Sequence, residues 1–204
     1  MKTILLAITL LSIKVCGQDS KVKSGFYAEV INSQNIVRES GNYFNLVKSR
    51  SRFGFGLGAS IYLNESRYVS FRLSPGLGYI NEVVVFENPG TSEQKRGSIF
   101  LKIPTHALIK LSNASQLRLI TGMTPSVGLL GGNDKFNELN FKKFDLTGDI
   151  GLGFQINTKA ISFRPEIKYS YSFIDGISDG QSRLSDSIDK YLRNRFTLTL
   201  ILTR

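Results

Sequence analysis

The 204-residue chain predicts an all-β fold: an eight-stranded antiparallel transmembrane β-barrel of up-and-down topology, with short periplasmic turns and long extracellular loops. Three observations predict it. Apolar and polar residues alternate in eight segments, and several segments reach the roughly 9–11 residues that cross a bilayer at a tilt. The connections between segments alternate short and long. Glycines gather on the polar face of the strands, where a narrow lumen would be crowded. Outside the first residues no apolar run approaches a membrane-spanning helix, so a helical membrane protein is excluded.

In chain order, the first element is a leader. Met1 and Lys2 supply a positive start, Ile4 to Ile13 a short apolar core, and Val15-Cys16-Gly17 a cleavable boundary before Gln18. The expected organisation is a signal peptide over 1–17 and a barrel over 18–204. Lys14 fits a lipidation signal at Cys16 badly, and cleavage after Gly17 leaves a chain without cysteine. A disulfide-stapled scaffold is thereby excluded.

The alternating segments are Ser24–Asn32, Arg52–Leu63, Arg67–Ile80, Gly97–Leu111, Gln116–Gly128, Phe141–Ile156, Ile161–Ile174 and Tyr191–Thr203. Asn64–Ser66, Ser112–Ala114 and Asn157–Ala160 read as tight turns. Ser33–Ser51, Asn81–Arg96, Leu129–Asn140 and Asp175–Lys190 read as long loops. An even strand count puts both barrel termini on the short-turn side.

The faces are well separated. In the seventh segment Ile161, Phe163, Ile167, Tyr169, Tyr171 and Phe173 oppose Ser162, Arg164, Glu166, Lys168, Ser170 and Ser172. In the eighth, Phe196, Leu198, Leu200 and Leu202 oppose Thr197, Thr199 and Thr203. A soluble lipocalin-like barrel would bury the apolar face. The sorted loops favour the inverted arrangement. So do Gly54, Gly56, Gly58, Gly76, Gly78, Gly151 and Gly153, all on the charged face.

That face assigns a lumen polar network: Glu29, Arg72, Lys102, His106, Arg118, Asp145, Asp149, Arg164, Glu166 and Lys168. An eight-stranded barrel is just wide enough for its own side chains, so paired charges are expected to plug it. His106 is the one histidine, and no spacing motif joins it to Ser70, Ser74 or Asp145 as a catalytic group. The chain is therefore expected to be non-enzymatic, with no cofactor and no metal. Asp175, Asp179, Asp186 and Asp189 carry acid in one loop but lack an EF-hand spacing.

The formal charge of +10 suits anionic lipid better than nucleic acid in an exported protein. Arg50, Arg52, Lys95, Arg96, Lys142, Lys143, Arg193 and Arg195 fall where long loops enter strands. They are expected to form a rim facing lipopolysaccharide phosphates. Tyr43, Phe44, Tyr79 and Tyr191 suit an aromatic girdle.

Three stretches carry a resemblance: Phe100-Leu101-Lys102-Ile103-Pro104, Pro165-Glu166-Ile167-Lys168-Tyr169-Ser170-Tyr171 followed by Asp175-Gly176-Ile177, and Phe196-Thr197-Leu198-Thr199-Leu200. Together they resemble the PorT-like outer-membrane β-barrel family over most of the chain. Lys102 stands where that family more often has Glu, Lys168 where it has Arg, and Arg204 replaces a terminal aromatic. The resemblance implies an integral outer-membrane location in a Gram-negative envelope and insertion by the barrel-assembly machinery. It also implies a structural or interaction role that could support protein secretion through envelope partners. A narrow channel or small-ligand-binding barrel is the alternative.

Overall fold

The computed structural model describes residues 23–39, 47–50, 52–65, 68–87, 91–112, 116–131, 141–177 and 188–203. The leader expected over 1–17, Tyr43, Phe44, Asp179 and Asp186 lie outside them.

Eight staves make the wall, and several are built from two strands. β1 (Lys23–Ser33) is the first stave, and β2 (Ile36–Glu39) continues its path beyond the rim. β3 (Val47–Arg50) and β4 (Arg52–Glu65) form the second. β5 (Val69–Leu73) and β6 (Gly76–Glu87) form the third, and β7 (Thr91–Lys102) and β8 (Thr105–Lys110) the fourth. β9 (Leu117–Gly131) is the fifth. β10 (Phe144–Phe154) with β11 (Ile156–Asn157) is the sixth, and β12 (Ser162–Ser172) the seventh. β13 (Ile188–Leu192) leads into β14 (Arg195–Thr203), the eighth. Each stave pairs antiparallel with the next. The last closes on the first, in register from Gly25↔Thr203 to Ser33↔Arg195. No sheet edge is left within the wall, as hydrocarbon demands.

Staves three and four are broken at Pro75 and Pro104, which have no N–H to give the ladder. Neighbouring amides bridge the breaks: Ala59 N–H donates to the Pro75 carbonyl at 3.0 Å, Ser74 N–H to Pro104 at 2.8 Å, and Ile103 N–H to Pro125 at 3.0 Å. Such breaks let a sheet curve tightly enough to close.

The wall has its apolar face outward. Phe26 is 73% exposed, Leu57 63% and Ile150 58%, whereas Arg72 is 1% exposed and His106 0%. In β12, which spans 11 residues, burial alternates residue by residue from Arg164 to Ser172. At about 3.3 Å per residue and a tilt near 45°, such a strand rises roughly 25 Å, the height of a bilayer-facing apolar band. Charged residues in and apolar residues out is the arrangement of a barrel solvated by lipid.

Two differences from the sequence reading concern the rim. The loop expected over Asn81–Arg96 is mostly hairpin: β6 and β7 stay paired out to Glu87↔Thr91. Alternation fails in Val83–Phe86 and in the polar Thr91–Arg96. The sequence pattern therefore hid a ladder that backbone hydrogen bonds sustain beyond the two-faced wall. The loops expected after the first stave and before the last also contain strand, since β2 and β13 pair from Ile36↔Leu192 to Glu39↔Ile188.

Candidate functional site

Alternation along each strand sends every second side chain into the lumen. Glycines then make room. A Cβ on Gly56 would sit 3.0 Å from Cγ of Glu29, and one on Gly78 would overlap the Phe100 ring. Bulky inward residues on staves one and four thus lie against bare backbone on staves two and three.

Mid-lumen is a connected ion network. Arg72 grips Glu166 with both terminal nitrogens, Nη2 at 2.8 Å from Oε2. The same Nη2 lies 3.1 Å from Nδ1 of His106. A guanidinium can only donate, so Nδ1 accepts and the ring proton sits on Nε2. Nε2–H donates to Asp149 Oδ2 at 2.9 Å. Asp149 also accepts from Thr124 and, at 3.2 Å, from Thr147. Beside this chain Lys102 pairs with Glu29 and lies 5.4 Å over the Tyr27 ring. Nearer the long-loop end, Arg195 bonds Asp145 at 3.2 Å while Ser172 donates to Asp145 at 2.7 Å.

Apolar layers cap this network. Tyr62, Leu108 and Ile120 cluster toward the short turns, and Ile31, Ile80 and Phe100 toward the long loops. Arg164 stacks 4.6 Å over the Tyr62 ring and donates to Gln155 at 2.7 Å, and Arg118 donates to Ser70 at 2.9 Å. With low-dielectric layers above and below, opposite charges in the middle attract more strongly than in water. Breaking any one pair leaves a buried ion behind.

The structure places all ten residues of the expected polar network inside the barrel. Nine are buried and Arg118 is half-buried. The expected rim is rearranged. Arg193 and Arg195, expected to face lipopolysaccharide, instead turn inward and are buried. Arg195 shares a face of β14 with Thr197 and Thr199, and Arg193 lies before that strand in the stretch Tyr191–Arg195, which is buried throughout. Arg193 donates to the carbonyls of Lys142 and Gly176 at 3.2 and 3.3 Å and lies 5.7 Å over Phe141. Arg195 lies 4.9 Å over Phe100. Arg52, Lys142 and Lys143 are exposed, and the side chains of Arg50, Lys95 and Arg96 lie outside the described residues. Tyr191, expected in the girdle, is fully buried, edge-on to Phe141 and hydrogen-bonded by Asn35. Tyr79 is half-buried, tilted against Phe55, with its hydroxyl donating to Asn81 at 2.7 Å. Asp175 holds a turn, accepting from the amides of Ile177 and Tyr191 at 3.1 Å each.

The described residues line two open spaces in the lumen. A cup at the long-loop mouth, about 380 Å³ including the part open to solvent, is lined by Lys142, Lys143, Arg193 and Arg195 with the hydroxyls of Ser98 and Ser126. A chamber beneath it is lined by Glu29, Lys102, Thr124, Asp149 and Lys168. Phe100 and Arg195 border both spaces, so their stacked pair forms the partition. The sequence reading brought these four cations to one rim but not into a cup, because it turned Arg193 and Arg195 outward.

Comparison with known proteins gives one family. The family described as outer membrane protein beta-barrel domain matches residues 19–178. Among solved structures, the outer membrane protein OprG from Pseudomonas aeruginosa aligns at TM-score 0.47 and 9% identity, over 89% of this chain and 91% of that one. The translocator domain of the autotransporter NalP from Neisseria meningitidis aligns at TM-score 0.38 and 7% identity, over 98% and 95%. The NanC porin aligns at 0.29 and 8%, over 88% and 97%. No curated protein sequence matches the chain.

Proposed function

The chain belongs to the outer membrane protein beta-barrel domain family, and for this integral outer-membrane protein we propose a non-enzymatic structural or interaction role in the envelope, performed by a barrel whose lumen is closed. The observation that carries the proposal is the Arg72–Glu166–His106–Asp149 network, which crosses mid-lumen between two apolar layers. Permeation would have to break buried ion pairs, each costing several kcal/mol, about 3–5 when one partner is lost. Both nitrogens of the buried His106 are engaged, which supports a structural rather than a catalytic histidine. Work is then left to the outer mouth, the rim strands and the loops. Partners in the envelope, including a secretion assembly of the kind the PorT-like resemblance implies, would dock there.

A narrow channel is the second reading. It is favoured by the way cup and chamber meet at a single partition, Arg195 over Phe100. Planar-bilayer recording separates the two. The closed-barrel reading expects no steady conductance from the purified protein, and none from an Arg195→Ala variant, because the Arg72 layer lies below. A stable ohmic conductance in the wild-type protein would overturn it.

A further inference from the structure

We propose that the cup at the outer mouth is a binding site for a phosphate group carried by a small solute. The assignment goes beyond the closed-barrel reading and holds whether or not the lumen conducts.

Charge is the first argument. Lys142, Lys143, Arg193 and Arg195 converge on one concavity, and Asp145 is the one carboxylate among its described lining residues. Asp145 is already engaged by Arg195 and Ser172. The site therefore holds three more cations than anions, an excess that a doubly charged oxyanion offsets better than a single carboxylate.

Pre-organisation is the second. Arg193 is fixed by two backbone carbonyls and by the Phe141 ring, and Arg195 by Asp145 and Phe100. Neither must be ordered when a ligand arrives, which lowers the cost of binding. Lys142 and Lys143 are exposed at the lip and free to close over an anion. The hydroxyls of Ser98 and Ser126 add donors of the kind that complete a phosphate shell.

Position is the third, and it bears on the source of the phosphate. Arg195 and Thr197 point into the barrel while Leu198 points to lipid. The wall thus stands between the cup and the bilayer. A lipid A phosphate would have to reach over the rim, whereas the cup opens, among the described residues, at the long-loop mouth that a solute in the medium meets.

The test is titration of the full, leader-processed chain, refolded without lipopolysaccharide in a zwitterionic detergent. Inorganic phosphate and glycerol 3-phosphate are the probes, read by ³¹P NMR line broadening. The expected result is saturable binding. Lys142→Ala/Lys143→Ala should weaken it by roughly tenfold or more, the worth of one charge-assisted contact. Lys23→Ala/Lys159→Ala, at the short-turn end, should leave it unchanged. Both Lys142 and Lys143 are exposed, so the variant is expected to fold, and its unboiled gel mobility verifies that. Competition with purified lipid A in the same micelles distinguishes the sources: no displacement assigns the site to free solutes, and full displacement moves the same site to the lipid headgroup. Absence of saturable binding, or binding unchanged in the Lys142/Lys143 variant, overturns the proposal.

Discussion

Replacing Arg72 by methionine is expected to destabilise the barrel by about 3–5 kcal/mol, because a carboxylate buried without its partner is among the costliest single defects. Glu166 loses both hydrogen bonds from the guanidinium, and His106 loses the donor to its Nδ1. Neither group can turn to solvent, since the lumen is capped on both sides. Urea unfolding in detergent micelles, followed by circular dichroism, measures the loss. The double variant Arg72→Met/Glu166→Leu should recover most of it, since removing both charges removes the uncompensated one. A single variant as stable as the wild type would mean that the network contributes nothing to the fold.

The second large effect is on the wall. Leu198 sits at mid-height in β14, paired with Ile167 of β12, and is 53% exposed. Leu198→Arg is expected to cost about 2–4 kcal/mol in a bilayer, the range for a cation at the midplane of a barrel's lipid face. The same substitution at an exposed position of a soluble barrel would cost within about 0.5 kcal/mol. Folding into vesicles against urea gives the number, and a neutral result would argue that water, not lipid, covers this face.

Much of this architecture was legible because a membrane barrel writes both solvents into each strand. In β12 and β14 parity alone separates wall from lumen, and the glycines opposite Tyr27, Glu29 and Phe100 marked the crowded side. The ionic residues of the network could be named from parity, but their partners could not. Arg72 and Glu166 are 94 residues apart, and closure of the barrel is what brings them together. The apolar caps were also hidden. Ile31, Ile80, Leu108 and Ile120 share parity with polar lumen residues, yet being apolar they were not named among the lumen residues. At the mouth a different rule failed. Position at the start of a strand suggested that Arg193 and Arg195 face lipopolysaccharide, while the parity of Arg195 with Thr197 already pointed inward. The rim strands β2 and β13 escaped notice because a ladder outside the bilayer needs no apolar face.

The most direct test of the central account is spin-label accessibility at Ile150, Ile167 and Leu198, each replaced by cysteine one at a time in the chain from Gln18, which has no cysteine of its own, and folded into vesicles. All three point outward around the waist of the wall. Labels at all three are expected to relax strongly with oxygen and weakly with a water-soluble nickel complex, as groups immersed in hydrocarbon do. Strong relaxation by the nickel complex at these positions would contradict the account, placing water on the apolar face and the barrel outside the membrane.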